Sequence, residues 1–433
     1  MGALGRSLSA RVLLALVLGL TMGALAQAAG GPEIARGIGY VEPLGGLWLN
    51  ALRMTVVPLI FALLVGGVAA MAGAAASGRL TARAVFLFLG VMAASAIYSV
   101  AATSGLLAAW PVQAEAASGF IAGLGLPPAE LNRAFDVAAF IQGLAPANAL
   151  RAAADDQVLP WVVFACFFGF AVTRLSADLR QPLLTGMRAL GETMIVIVRW
   201  VLLAAPIGVF ALALGVGLRT GFDSAGVVGH YIVVVCAVQI GATLLVYPLV
   251  AVFGRVGVWR FARAAAPVQA LAVSTQSSIA CLPMMIERAE DELEVAPPVA
   301  GLLLPLAVAV FRMTSTVANL AVVLFVAHLY GVQPSPLELA AAVFVAVLVG
   351  VGSVGLPGQV SFFASIAPIS LAMGAPVAAL PIFLAVEVIP DIFRTIGNVT
   401  ADLGVTRVLA RGAPAEIPEA APTFSSADPP PGP

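Results

Sequence analysis

One pattern repeats along most of the chain: long apolar runs separated by short polar segments that carry arginine. The windows 84–107, 195–214 and 302–327 are almost wholly apolar, and about 20 apolar residues in helical form cross the hydrocarbon core of a bilayer. None alternates over about 10 residues as a barrel strand would. A segment that leaves water must pair its own backbone groups, so each run predicts a helix. The predicted spans are 12–29, 47–72, 84–109, 158–176, 187–217, 226–254, 297–327 and 376–410. Two further apolar stretches, near 264–287 and 337–371, are interrupted by hydroxyl and glycine clusters. They are too broken for one helix and too short for two crossings, and predict hairpins that enter halfway and return.

Composition agrees. Of 433 residues 61% are hydrophobic and 10% charged, with a mean hydropathy of +1.05; soluble domains are about 45–50% apolar and about 25% charged. All 21 basic residues are arginine. With the N-terminus cytoplasmic, thirteen of them face inside (6, 11, 79, 83, 174, 180, 188, 255, 260, 263, 288, 407 and 411). Only Arg36, Arg133, Arg151 and Arg219 face outside, as the positive-inside rule requires. The expectation is a multi-pass inner-membrane protein with both termini cytoplasmic. The first span also imitates a secretory signal, with Arg6 and Arg11 before it and Ala26-Gln27-Ala28 after it. Retention is preferred, because cleavage would leave an odd helix count and a poorer arginine bias. Residues 111–155 predict a long external connection, and the Pro/Ala-rich 412–433 a disordered cytoplasmic tail. The net charge of −1 points to no nucleic-acid partner. Cys166, Cys236 and Cys281 lack metal-ligand spacing and read as small packing residues. The partners expected are a small acidic solute and membrane lipid; no cofactor is expected.

Chemistry concentrates in three places. The last span carries Glu387, Asp391, Arg394, Thr395, Asn398 and Asp402, which share one arc of about 100° on a helical wheel. A charge at the bilayer midplane costs about 2.5–3.5 kcal/mol on insertion scales, so this stripe must face protein or a wet cavity. Arginine grips carboxylates bidentately, and an aspartate one turn away suits an ammonium. A self-satisfied Asp391–Arg394 lock is the bland alternative. The second place is Ser274-Thr275-Gln276-Ser277-Ser278 before Leu282-Pro283; the third is Gly350-Val351-Gly352-Ser353-Val354-Gly355-Leu356-Pro357-Gly358. Paired interrupted segments in two halves of a membrane protein mark transporter binding sites.

These motifs, with Ala205-Pro206-Ile207-Gly208 and Gln157-Val158-Leu159-Pro160, resemble the dicarboxylate/amino acid:cation symporter family, which includes the glutamate transporters, from about residue 40 to 408. The resemblance implies an all-α polytopic fold of eight transmembrane helices plus two re-entrant hairpins, assembled as a homotrimer. It implies scaffold helices in 1–83 and 111–225 and a mobile transport unit in 84–110 and 226–411. It also implies that Ser277, Ser278, Ser315, Thr395, Asn398 and the hairpin tip Leu356-Pro357-Gly358 contact substrate. Arg394 would hold its side-chain carboxylate and Asp391 its amino group. Asn398 with Asp402 would form one sodium site, and Gly350, Val351 and Ser353 a second. One departure stands out. Where the family usually carries Asn-Met-Asp-Gly-Thr, this chain reads Phe311-Arg312-Met313-Thr314-Ser315. The sodium-binding side chains are gone and an arginine has arrived, expected near Asp402, Asn398 and the second hairpin tip. The coupling ion stays open between sodium and a proton, with Glu387 and Asp402 the carboxylates able to carry the latter.

The function expected is a secondary transporter for acidic amino acids such as glutamate or aspartate, with altered cation coupling; a C4-dicarboxylate:cation symporter is the runner-up. An intramembrane serine hydrolase is disfavoured. The two histidines, His230 and His328, sit near predicted helix ends, and there is no Gly-x-Ser-x-Gly elbow. A channel would need no Asp391/Arg394 clamp.

Overall fold

A computed structural model describes residues 8–30, 32–76, 78–123, 145–155, 158–221, 223–352, 358–377 and 380–411. Every regular element among them is helical: α1 (Leu8–Ala29), α2 (Pro32–Ala76), α3 (Arg79–Ala109), α4 (Ala114–Gly123), α5 (Ala149–Ala154), α6 (Val158–Thr173), α7 (Ala177–Leu203) and α8 (Ala205–Thr220). There follow α9 (Asp223–Leu249, continued by a π turn, Val250–Gly254), α10 (Val258–Thr275), α11 (Ser278–Asp291), α12 (Pro297–Val310), α13 (Met313–Leu329), α14 (Pro336–Gly352), α15 (Gly358–Ala372), α16 (Leu380–Val386) and α17 (Val388–Ala410). Among the described residues five spans are long and apolar enough to cross a bilayer, and a sixth if the bent pair α7–α8 counts as one. Gln157, residues 124–144 of the connection expected over 111–155, and the tail 412–433 lie outside the described residues; α4 and α5 lie within that connection, on either side of 124–144.

Three spans expected as single helices are broken, each for a local reason. The 187–217 span bends by 58° between α7 and α8. Pro206, just past the break, cannot donate to a carbonyl four residues back, and Trp48 Nε1 caps Val201 O at 3.0 Å. The 376–410 span breaks at Glu387 between α16 and α17, where Pro390 likewise has no N–H to offer Val386. The 297–327 span breaks at Phe311-Arg312, whose backbone is extended at Phe311 (φ −102°, ψ 103°). Phe311 is anchored there by stacking on Phe88, ring centroids 4.8 Å apart.

The helices fall into two groups. In the first, α1 lies along α8, and α2 packs on α6, α7 and α8. A Cβ added at Gly23 would land on the backbone of Leu214, and one at Gly217 on the carbonyl of Leu20. Lipid tails give apolar helices no hydrophobic reason to associate, so close backbone approach through small residues supplies the contact instead. The first helix is thus seated in the bundle. Trp161 Nε1 donates to Val57 O at 3.0 Å and stacks on Phe61.

A second set of contacts joins α3, α9 to α15 and α17, while α16 touches α1 and α8 as well as α17. Over the best apolar window of α12–α13, 94% of residues are buried, the mark of a helix ringed by protein rather than lipid. Ser99 Oγ ties α3 to Val317 O at 2.7 Å. The two interrupted stretches are helix pairs: α10 and α11 turn at Gln276, in the left-handed region at φ 49°, with Ser277 capping α11. The second pair is α14 and α15, packed on each other and on α13.

Candidate functional site

The polar stripe of α17 faces inward, as its arc required. Glu387 and Asp402 have no exposed surface, Asp391 is 2% exposed, Asn398 3%, and Arg394 and Thr395 5% each. Arg394 lies between two carboxylates of its own helix. Its Nη2 meets Glu387 Oε1 at 2.5 Å, and its Nη1 stands 3.8 Å from Asp391 Oδ1. The guanidinium Nε is buried with no hydrogen-bond partner among the described residues, so part of the fork remains for another acceptor. Asp391 Oδ2 accepts from the backbone N–H of Gly358 at 2.8 Å, the first residue of α15. That contact is tight: a Cβ at Gly358 would collide with Asp391 Oδ1 and approach Arg394 Nη1 to 2.6 Å. Glycine is required there by proximity. Thr395 Oγ1 donates to Asp391 O, the usual refuge of a helical threonine.

The break between α12 and α13 supplies the facing wall. The first N–H groups of a helix lack partners within it. Here Asn398 Oδ1 accepts from Thr314 N at 3.0 Å and Ser315 N at 3.3 Å, while its Nδ2 donates to Ser315 Oγ at 3.0 Å. A side chain of α17 therefore caps α13. Arg312, 3% exposed, donates from Nη1 to Ser278 Oγ at 3.1 Å, on the first turn of α11. Its charge acts on Asp402, Asp391 and Arg394. A Cβ at Gly350, at the end of α14, would approach Thr316 Oγ1 to 2.7 Å and Arg312 Cβ to 4.0 Å. Neither oxygen of Asp402 receives a hydrogen bond among the described residues, and Arg312 is the charged group acting on it.

The structure thus gathers Ser278, Arg312, Ser315, Gly358, Asp391, Arg394 and Asn398 into one buried cluster where the starts of α11 and α15 meet two broken helices. Ser277 caps α11, its Oγ accepting from Ala280 N at 3.4 Å. Gly350 and Val351 end α14 beside this cluster, while Ser353, Leu356 and Pro357 lie outside the described residues. Arg312 was expected near Asp402, Asn398 and the second hairpin's tip; it acts on Asp402 and hydrogen-bonds Ser278 of the first helix pair, while the second tip, residues 353–357, lies outside the described residues. Asn398 was expected on substrate and ion, and here its amide is engaged by α13. Sequence reasoning placed Glu387 in the stripe without seeing it as the partner of Arg394. The spacing of seven residues, two turns, carried that signal. Tyr231 was missed. It is fully buried on α9 and acts on both Glu387 and Arg394, and a lone tyrosine in an apolar run gave no warning.

The chain is 27% identical to the proton/glutamate-aspartate symporter of Escherichia coli (strain K12) over 423 residues, covering 94% of this chain and 92% of that one. It is 25% identical to the proton/sodium-glutamate symport proteins of Bacillus caldotenax and Geobacillus stearothermophilus, over 90% of each chain. The sequence profile of the Sodium:dicarboxylate symporter family matches residues 8–411. The chain belongs to the Sodium:dicarboxylate symporter family, whose members are membrane symporters.

Proposed function

We propose that this protein is a secondary active transporter, a symporter for acidic amino acids such as glutamate or aspartate, with altered cation coupling. The observation that carries the reading is the pair on α17. Arg394 and Asp391 are both buried and 3.8 Å apart, and between them they offer a carboxylate grip and an ammonium acceptor. Ser278, Ser315, Thr395 and Asn398 supply further donors and acceptors, and Gly358 brings the second hairpin onto Asp391. Relatives matched over nearly their whole length transport glutamate or aspartate by name, which supports the same substrate class. On this reading eight helices cross the inner membrane and the helix pairs α10–α11 and α14–α15 are re-entrant. Residues 84–110 and 226–411 move as an elevator against a trimeric scaffold.

Arg312 bears on the coupling ion. Arginine stays protonated at any accessible pH, and here it is the charged group acting on Asp402, a carboxylate that would otherwise attract sodium. A sodium ion about 4 Å from it would meet a repulsion of about 4 kcal/mol at an effective dielectric of about 20. Arg312 therefore acts as a tethered cation at the sodium site built from Asp402, Asn398, Gly350, Val351 and Ser353, and a proton replaces sodium as the driving ion. The second reading, a C4-dicarboxylate:cation symporter, draws support from the two electrostatically coupled guanidiniums Arg312 and Arg394, which suit a dianion.

Uptake of labelled aspartate into proteoliposomes tests both parts. Accumulation driven by an imposed proton gradient in choline buffer, competed by glutamate more strongly than by malate, is expected. Steep, saturable sodium dependence would remove the role of Arg312. Stronger competition by malate would favour the dicarboxylate reading.

A further inference from the structure

Two carboxylates share one guanidinium in this site, and only one of them, Asp391, keeps a backbone donor besides it. Glu387 has no exposed surface, is held at the break between α16 and α17, and meets Arg394 at 2.5 Å. Asp391 stands off at 3.8 Å and keeps a second donor, Gly358 N–H, at 2.8 Å. Neither oxygen of Glu387 has a hydrogen bond of good geometry among the described residues, so the ion pair with Arg394, with the Tyr231 hydroxyl beside it, is its anchor. The charged and titratable groups acting on it are Arg394 and Asp391 from α17 with Tyr231 and Cys236 from α9. No second cation is among them.

A substrate carboxylate that grips Arg394 bidentately needs Nη2, the nitrogen that Glu387 now holds, on either edge of the guanidinium, and so displaces Glu387. The buried cluster already holds three acids (Glu387, Asp391, Asp402) against two arginines (Arg312, Arg394), a net single negative charge when all are ionised. An acidic amino acid brings two carboxylates and one ammonium, and would double that charge in a medium that solvates it poorly. One proton restores the balance. The displaced Glu387 is where that proton relieves an unpaired anion.

We propose that Glu387 is the proton-carrying residue of the transport cycle: it holds Arg394 in the empty carrier and, when the substrate carboxylate takes its place on that guanidinium, accepts one proton from the entry-side water. On release the carboxylic acid O–H gives its proton to the exit-side water, and the carboxylate returns to Arg394. Proton and substrate cross together because neither state is complete without the exchange. This rests on the assignment of Arg394 to the substrate carboxylate.

The test uses the full-length protein in weakly buffered detergent solution, with a pH-indicator dye and added aspartate or glutamate. Wild type should take up about one proton per substrate bound, and its affinity should fall about tenfold per pH unit above the titration of Glu387. Glu387→Gln, which cannot lose a proton, should bind with an affinity flat in pH and no proton uptake. Equal uptake by the variant would overturn the proposal, as would binding by wild type without any proton change. Failure of wild type to bind either amino acid would instead defeat the substrate assignment. Should Glu387→Gln fail to fold, Glu387→Asp supplies the decision. Its carboxyl, one methylene further from Arg394, should shift the pH midpoint of uptake, and an unshifted midpoint counts against Glu387.

Discussion

Arg312 Nη1 and Ser278 Oγ, 34 residues apart in the chain, meet at 3.1 Å. This hydrogen bond joins the break between α12 and α13 to the first turn of α11, and it fixes where the guanidinium sits. The charge is held on the side of the cluster where Asp402 and Asp391 both feel it, not left to swing toward lipid or water. Among the described residues Arg312 is the cation acting on Asp402, and removing one partner of a buried ion pair costs about 3–5 kcal/mol.

Arg312→Gln should accordingly destabilise the protein in sodium-free buffer, by about 3 kcal/mol or more. Added sodium should recover part of the loss, since Asp402 is then free to bind an ion. Thermal unfolding in choline and in sodium chloride reads this directly. An unfolding temperature that is lowered equally in both salts would show that no cation site has been reopened.

Arg394→Cys should abolish uptake of acidic solutes and admit neutral ones, because the grip on a carboxylate is lost while the site keeps its donors for the rest of an amino acid. Loss of a buried, hydrogen-bonded charge contact typically costs about 2–5 kcal/mol, a factor of about 30 to several thousand in affinity. Competition assays with aspartate and serine decide it. Undiminished aspartate uptake by the variant is incompatible with the assignment.

Asp391→Ser separates the two substrate readings. If Asp391 receives an ammonium, aspartate and glutamate should lose about 2–5 kcal/mol of binding while malate and succinate lose far less. The ratio of apparent affinities, wild type against variant, is the quantity to measure. Equal losses for both classes would place the amino group elsewhere.

Asn398→Leu removes the cap shared by Thr314 N and Ser315 N. Each buried donor left without an acceptor costs about 1–3 kcal/mol, so the unfolding temperature should drop markedly even without substrate. Asn398→Asp keeps an acceptor at the same place and should recover much of the stability. If the aspartate variant is as unstable as the leucine one, capping is not what Asn398 supplies.

Much of this protein was legible from the order of its residues. The apolar runs, the arginine asymmetry and the two interrupted stretches were enough to give a helical membrane protein whose interrupted stretches fold as helix pairs. A bilayer imposes that reading on any chain whose backbone must satisfy itself. The inward stripe on α17 was legible for a similar reason: 3.6 residues per turn sorts Glu387, Asp391, Arg394, Asn398 and Asp402 onto one side, and lipid cannot accept them. What periodicity cannot report is which acid takes the arginine. Glu387 and Asp391 lie on the same face, and only the packed structure decides that Glu387 holds Arg394 while Asp391 turns to Gly358 N–H. The same holds for Asn398, whose use as a cap for α13 depends on a break that nothing in the run 302–327 announces. Arg312 was conspicuous in the sequence, but its tie to Ser278 required two segments 34 residues apart to be brought into contact. Local sequence fixes period and face because both are properties of one helix; partner choice is a property of several helices at once, and tertiary packing settles it.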